Sequence, residues 1–350
     1  MLPRLCRLVT EFGTGRRMPR TRNALLTAVF FIAGFLATAS PTIGQTSARY
    51  DGPIIDMHMH AANVQLGSDG KPRALGLRCF PGPCEFQPSA ATSEDEVLRM
   101  TLAAMDRHNI VLGFLSGYDG SLDAVVSNLE RVRAWVQAAP GRFIPSAFLG
   151  RPGDPTVEFL RTELSSGRLE GLGEIATQYF GVRPNDSVLE PYFSLAAEFD
   201  IPTHIHTAGF GAPLPDFRPS AGNPLLLEDV LARHPNLRLF VENSGFPFTE
   251  DWIAVSYQYP QLYGEVSTAM WAVNRTAFYR HLRTLVEAGL SKRIMFGSDQ
   301  MEWPETITLA IEAIQSADFL TDEQRADIFY NNAARFLRLS EEEMARHHGR

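Results

Sequence analysis

The chain has 350 residues, is 45% hydrophobic and 21% charged, and carries a formal charge of −8. That composition describes a globular protein with a sizeable core and excludes collagen, coiled coil and wholesale disorder. The acidic balance, with no basic stripe, argues against a nucleic-acid partner.

The first 45 residues differ in kind from the rest. Arg4, Arg7, Arg16, Arg17, Arg20 and Arg22 precede an apolar run over residues 24–37, and Ala37-Thr38-Ala39 follows with small residues. This is the three-part secretory pattern, with cleavage expected near Ala39 and a periplasmic or secreted mature protein. The run is shorter than the roughly 20 residues of a membrane span, so no stable membrane anchor is expected. Removing residues 1–45 shifts the formal charge from −8 to −13. The domain reading is therefore a signal segment over 1–45 and one catalytic-sized domain over 46–345.

After residue 50, short apolar runs alternate with longer stretches of helical spacing. Strands are expected at 54–57, 110–115, 143–148, 171–176, 203–207, 237–242, 262–266 and 294–296. Helices are expected between them, at about 94–107, 121–138, 155–166, 188–199, 224–233, 249–257, 275–288 and 304–316. Ser93-x-x-Glu96 and Thr321-x-x-Gln324 read as capping boxes, and the stretch from Glu341 to His348 as a solvated tail. Eight βα units in one chain predict a closed (β/α)8 barrel. A doubly wound open sheet is the alternative, weakened because no Gly-rich phosphate loop follows any strand.

The connection after the first strand, about 61–92, is unusually long and rich in Gly and Pro. It carries Cys79 and Cys84, expected to pair as a disulfide in an oxidising compartment, with a metal site as the competing reading. A disulfide-pinned lid over the active face is the functional expectation for this loop, and a surface insertion the bland one.

Each chemically distinctive residue falls at the C-terminal end of an expected strand, where barrel active sites form. His58 and His60 are two residues apart, so both imidazoles leave the same face of the first strand and can grip one ion. Asp56 points the same way from deeper and is expected to orient a ligand histidine. Glu174, between a glycine and an isoleucine in an interior strand, requires a compensating charge, supplied by a metal or by an arginine such as Arg151 or Arg183. His206 ends the fifth strand, with His204 deeper as a second ligand or a core residue. Asp299 follows Gly297-Ser298 after the eighth strand and suits both metal ligation and proton transfer. Tyr118, Arg151, Gln178, Tyr179, Asn243, Phe246 and Trp303 are candidate pocket residues, with Arg151 able to clamp a carboxylate.

At this point the chain resembles a family. The segments Ile55-Asp56-Met57-His58-Met59-His60, Ile201-Pro202-Thr203-His204-Ile205-His206-Thr207, His234-Pro235-Asn236-Leu237, Phe296-Gly297-Ser298-Asp299 and Tyr330-Asn331-Asn332-Ala333-Ala334-Arg335-Phe336-Leu337 look like the amidohydrolase superfamily, closest to its amidohydrolase-related branch. The resemblance implies a metal-dependent hydrolase on a distorted TIM barrel. His58, His60 and Asp299 would hold one divalent ion, most simply zinc, with manganese or iron admitted by the carboxylates. Glu174 would take the fourth-strand position that can bridge two ions, and His206 the fifth-strand histidine position. One departure stands out: where the family's sixth strand ends in histidine, this chain has Asn243, with Glu242 beside it. That leaves one or two ions open.

The expected reaction is attack of a metal-activated water on an ester, lactone or amide-type bond of a small molecule, with Asp299 taking and returning the proton. Three other readings remain open: a metal-dependent non-oxidative decarboxylase, a phosphotriesterase- or lactonase-like enzyme, and a non-catalytic periplasmic metal- or ligand-binding protein.

Overall fold

The computed structural model describes residues 49–64, 68–69, 79–84, 86, 91–118 and 125–349. The expected signal segment, and most of the long connection after the first strand, lie outside these residues. Among the described residues no helix is long and apolar enough to cross a membrane.

Eight strands form one sheet in sequence order: β1 (Ile54–Ala62), β2 (Ile110–Tyr118), β3 (Phe143–Leu149), β4 (Gly171–Ile175), β5 (Thr203–Ile205), β6 (Leu239–Val241), β7 (Tyr263–Glu265) and β8 (Ile294–Met295). Every adjacent pair is parallel. The ring closes through backbone bonds from Met57 N to Phe296 O (2.9 Å) and from Asp299 N to His58 O (2.8 Å). Strictly sequential order and closure rule out the open doubly wound sheet and give the TIM barrel.

The expected strands all form, with ends that shift by a few residues; β5 stops at Ile205, so His206 lies just beyond it, and β1 shifts most. β1 runs five residues past its expected end, to Ala62, and is buried throughout. His58 and His60 are therefore inside a strand rather than beyond one. Their polarity interrupts the apolar run, yet both faces of a barrel strand are covered.

Helices fill the connections where spacing placed them, for example Glu94–Arg107, Arg275–Glu287 and Glu305–Gln315. The cap at Ser93 differs slightly from the expected box. Ser93 Oγ accepts from Glu96 N (3.2 Å), but the Glu96 carboxylate reaches back to Thr92 N (2.7 Å), one residue further than a reciprocal box requires. The Thr321–Gln324 box is complete.

The chain's end is also more ordered than expected. Glu341–His348 is solvated as expected, with no buried residue, but it forms a helix with its own capping box at Ser340. His347 Nδ1 bonds the Tyr330 hydroxyl at 2.9 Å, which gives that helix a docking point. The segment before it packs beneath β8: Asn332 Nδ2 donates to Ser291 O (2.8 Å) and Ile294 O (2.7 Å).

Candidate metal centre and cleft

The second half of β1, the end of β4 and the loop after β8 bring four donor atoms together. His58 Nε2 lies 3.1 Å from His60 Nε2, 3.7 Å from Asp299 Oδ1 and 3.9 Å from Glu174 Oε2. His60 Nε2 lies 3.1 Å from Asp299 Oδ1 and 3.5 Å from Glu174 Oε2. Four ligands held tetrahedrally at zinc-like bond lengths are separated by about 3.4 Å. The five spacings given, all those except Glu174 to Asp299, fall within roughly half an ångström of that.

Two glycines make this convergence possible. At Gly173, φ is +131° and an added Cβ would sit 2.1 Å from the His204 ring and 2.6 Å from its carbonyl. Only glycine lets β4 pass this close to β5 and deliver Glu174. A Cβ at Gly297 would meet Glu265 Oε2 at 2.6 Å and His58 Cβ at 2.8 Å.

Both histidines are oriented from behind. His58 Nδ1 faces Glu265 Oε1 at 3.2 Å, and His60 Nδ1 faces Ser116 Oγ at 3.0 Å. Glu265 is itself held by Ser267 N (2.6 Å), Ser267 Oγ (2.8 Å) and Asn243 N (3.1 Å). Sequence reading missed Glu265. Its signal was the one noticed at Glu174, a carboxylate ending an interior strand. Asp56, expected to orient a histidine ring, instead accepts from the backbone of His58 (3.1 Å) and Ser298 (2.8 Å), tying β1 to the loop after β8. Burial pushes its carboxyl up to about 7 against those bonds.

A second cluster adjoins the first. His206 Nδ1 lies 3.0 Å from Glu174 Oε1 and 3.4 Å from Glu242 Oε2, and His204 Nδ1 lies 2.7 Å from Glu242 Oε1. Glu174, His206 and Glu242 offer ligand atoms all within 4.8 Å of one another, as do His58, His204 and Glu242. Here the sixth-strand departure becomes concrete. The strand stops at Val241, and Asn243 and Ser244 turn with φ of 53° and 43°. Glu242 points to the histidines, while Asn243 Oδ1 accepts from Ala269 N (3.0 Å) and braces the loop after β7. His204 is sealed in the barrel, its ring stacked 5.0 Å from Phe240.

The electrostatics of the cluster call for added positive charge. Burial opposes ionisation of Asp299, yet His58, His60 and Thr268 outweigh it and hold the carboxyl at about 2. Burial also opposes protonation of His206, but Glu174 and Glu242 lift it to about 10. His58 is likewise raised, against burial, by Glu242, Asp299 and Glu265. Buried carboxylates outnumber the cations among these residues, and His206 Nε2 has no hydrogen-bond partner. Donor spacing, donor chemistry and charge deficit all fit a divalent ion.

Above the donors is a cleft of about 440 Å³, lined by His60, Glu174, His206 and Asp299 at its floor. Six aromatic residues wall it: Phe80, Tyr118, Tyr179, Phe210, Trp271 and Trp303. Phe80 belongs to the disulfide-closed segment Cys79–Cys84 and donates its backbone N–H to Ala272 O at 2.6 Å. Tyr179 lies over His206 at 4.8 Å, and burial beside Glu174 and Asp299 keeps its hydroxyl protonated.

Not every expected pocket residue reaches this cleft. Arg151 is exposed and lays its guanidinium 3.8 Å over the Phe180 ring, outside the lining. Gln178 staples the wall loop instead, donating to Ala208 O (2.8 Å) and Arg218 O (3.1 Å). Phe246 lines a separate surface groove with His281. Asn243 is committed to the β7 loop, as above.

Comparison with known proteins agrees with this architecture. A family model described as amidohydrolase matches residues 55–339. A TIM-barrel protein from Bordetella bronchiseptica superposes with a TM-score of 0.59 at 18% identity, covering 85% of this chain and 100% of that one. A probable 2-pyrone-4,6-dicarboxylic acid hydrolase from Acinetobacter baumannii gives 0.56 at 14% identity, covering 82% and 99%. A dihydroxybenzoic acid decarboxylase from a Polaromonas species, with bound manganese, gives 0.57 at 13% identity, covering 84% and 99%. In sequence, the fluG protein of Emericella nidulans is 26% identical over 156 residues, which cover 40% of this chain and only 18% of that much longer protein. Given a match that spans most of the chain and a barrel whose donors converge at the strand ends, the protein belongs to the amidohydrolase family.

Proposed function

We propose that this protein is a metal-dependent hydrolase of a small acyl compound, an ester, lactone or amide. The observation that carries this reading is the convergence of His58, His60, Glu174 and Asp299 at the floor of a cleft. Glu174, His206 and Glu242 would hold a second ion if one binds. A divalent ion held by these residues would polarise a carbonyl and lower the pKa of a water beside it.

The chain's own groups supply the rest. Asp299 is ionised, with Oδ1 turned toward His60 and Oδ2 accepting from the Thr268 hydroxyl. It takes a proton from the attacking water and returns it to the leaving group. Glu265 and Ser116 hold the imidazoles in one orientation. The Tyr179 hydroxyl, kept protonated, is a donor beside the substrate carbonyl. The aromatic walls exclude bulk water and strengthen each of these interactions.

A decarboxylase is the second reading, because a barrel of this fold with bound manganese performs that reaction in the Polaromonas protein. The basic, apolar and small-residue N-terminal pattern and the Cys79–Cys84 bridge support action outside the cytoplasm.

The test is metal content of protein purified without chelator, followed by turnover on neutral esters and lactones with carbon dioxide monitored in parallel. At least one ion per chain and chelator-sensitive ester or lactone cleavage is the expected result. Carbon dioxide release without cleavage would transfer the assignment to the decarboxylase. Bound metal with neither reaction would favour a binding protein. Sequencing the mature N-terminus checks export.

A further inference from the structure

We propose that the cleft selects an uncharged aromatic or apolar substrate and rejects one bearing a free carboxylate. This rests on the hydrolase reading for the reaction but on separate observations for the substrate. Among the described residues, no lysine or arginine lines the cleft. The one arginine expected to serve as a carboxylate clamp, Arg151, is engaged with Phe180 outside it.

The floor adds to this bias. Four carboxylates, those of Glu174, Glu242, Glu265 and Asp299, lie on it or directly beneath it. A substrate carboxylate remote from the reacting carbonyl would be desolvated against the walls and beside like charges, with no guanidinium or ammonium among the described lining residues to receive it.

The walls fit the neutral alternative. They are six aromatic rings joined by Ala212, Pro213, Leu214 and Met301. Two wall donors are spent inside the protein: Trp271 Nε1 donates to Ser298 O (2.9 Å), and the Thr268 hydroxyl to Asp299. Stacking on such walls rewards a planar apolar ring. The cleft's 440 Å³ falls in the range of pockets that enclose a single small molecule.

The experiment uses the metal-loaded mature protein and a matched pair of probes that differ by one remote charge. Calorimetry compares 4-(acetamidomethyl)benzamide with 4-(acetamidomethyl)benzoate, and turnover compares 4-acetoxybenzamide with 4-acetoxybenzoate. The neutral member should bind at least ten-fold tighter and show a correspondingly higher kcat/KM. Equal or tighter binding of the carboxylate would overturn the proposal. Preferential binding of the neutral probe with no ester turnover would leave the substrate class standing and sink the hydrolase reading instead. Leu214→Arg, at a partly exposed wall position, supplies the missing cation. It should narrow the preference several-fold, and an unchanged ratio would show that wall charge does not set it.

Discussion

Glu265 offers the sharpest test of how the centre is built. Its carboxylate is fully buried and receives four donors: His58 Nδ1, Asn243 N and Ser267 Oγ on Oε1, and Ser267 N on Oε2. In Glu265→Gln, the best placement keeps the amide oxygen at Oε1 and sets the NH2 against Ser267 N, donor facing donor. One buried N–H then loses its partner, which costs about 1–3 kcal/mol of folding stability. The bond to His58 also weakens from charge-assisted to neutral. Loss of such an orienting partner lowers metal affinity by about 10–100-fold, equivalent to roughly 1.4–2.8 kcal/mol. Chelator-competition titration measures the affinity, and thermal melting of metal-free protein measures the stability separately. A variant that melts earlier yet binds metal within about twofold of the parent would refute the orienting role and leave Glu265 a packing residue.

Three further predictions follow from the same geometry. Metal affinity should climb as pH rises from 6.5 toward 10, because His206, lifted to about 10, must lose its proton before ligating. Over the same window the metal-free protein should lose stability: a raised histidine stabilises the fold fully below its ordinary value of 6.5, and that contribution disappears as pH passes about 10. Melting with and without metal at several pH values reads both trends, and a flat affinity would sink the assignment of His206. Asp299→Asn should fold and keep part of its metal affinity while losing about 100-fold or more in kcat; near-parental turnover would remove Asp299 as the proton carrier. Cys79→Ser with Cys84→Ser should raise KM for aromatic substrates about three- to ten-fold with kcat little changed, because Phe80 is no longer held against Ala272 by a closed loop; kcat falling at constant KM would contradict a wall role.

The barrel was legible because periodicity and connection length are local signals, and eight βα units leave few topologies. Strand ends were less so. β1 was read as stopping at Met57 because polar residues follow, but the strand continues under cover on both faces to Ala62. In a closed barrel a buried histidine is accommodated by what it binds, and apolar runs do not report that. The reverse error occurred at β6, which ends at Val241 rather than 242 because the chain turns sharply there. Glu242 and Asn243 point different ways because the chain turns beyond the strand, and which of them faces the histidines depends on that turn, for which the sequence carries no local signal. Arg151 illustrates the limit for loop residues. A cation after a strand is free to reach the cleft or to leave it, and here the Phe180 ring draws it out.

Backbone strain marks the centre independently of its chemistry. Seven non-glycine residues among those described have positive φ, and four of them, Asn243, Ser244, Asp299 and Met301, lie just beyond β6 and β8. Left-handed backbone costs a non-glycine residue on the order of 1 kcal/mol or more, so a cluster needs an offset. At Asn243 the offset is visible: the turn sends its N–H to Glu265 and its side chain to Ala269 N, freeing Glu242 for the histidines. At Asp299 the N–H bonds His58 O across the seam where the barrel closes, and the same turn aims Oδ1 at His60. Met301 gains no bond of this kind, but its side chain lines the cleft. Glycine would relieve the backbone at each of these positions, but it would remove the Asn243 and Ser244 side chains that bond Ala269 N and Glu265 O, the Asp299 donor, and the Met301 wall of the cleft. The sequence has kept the costlier residue in every case, which is the pattern expected where the geometry of a site, rather than the stability of the fold, decides the residue.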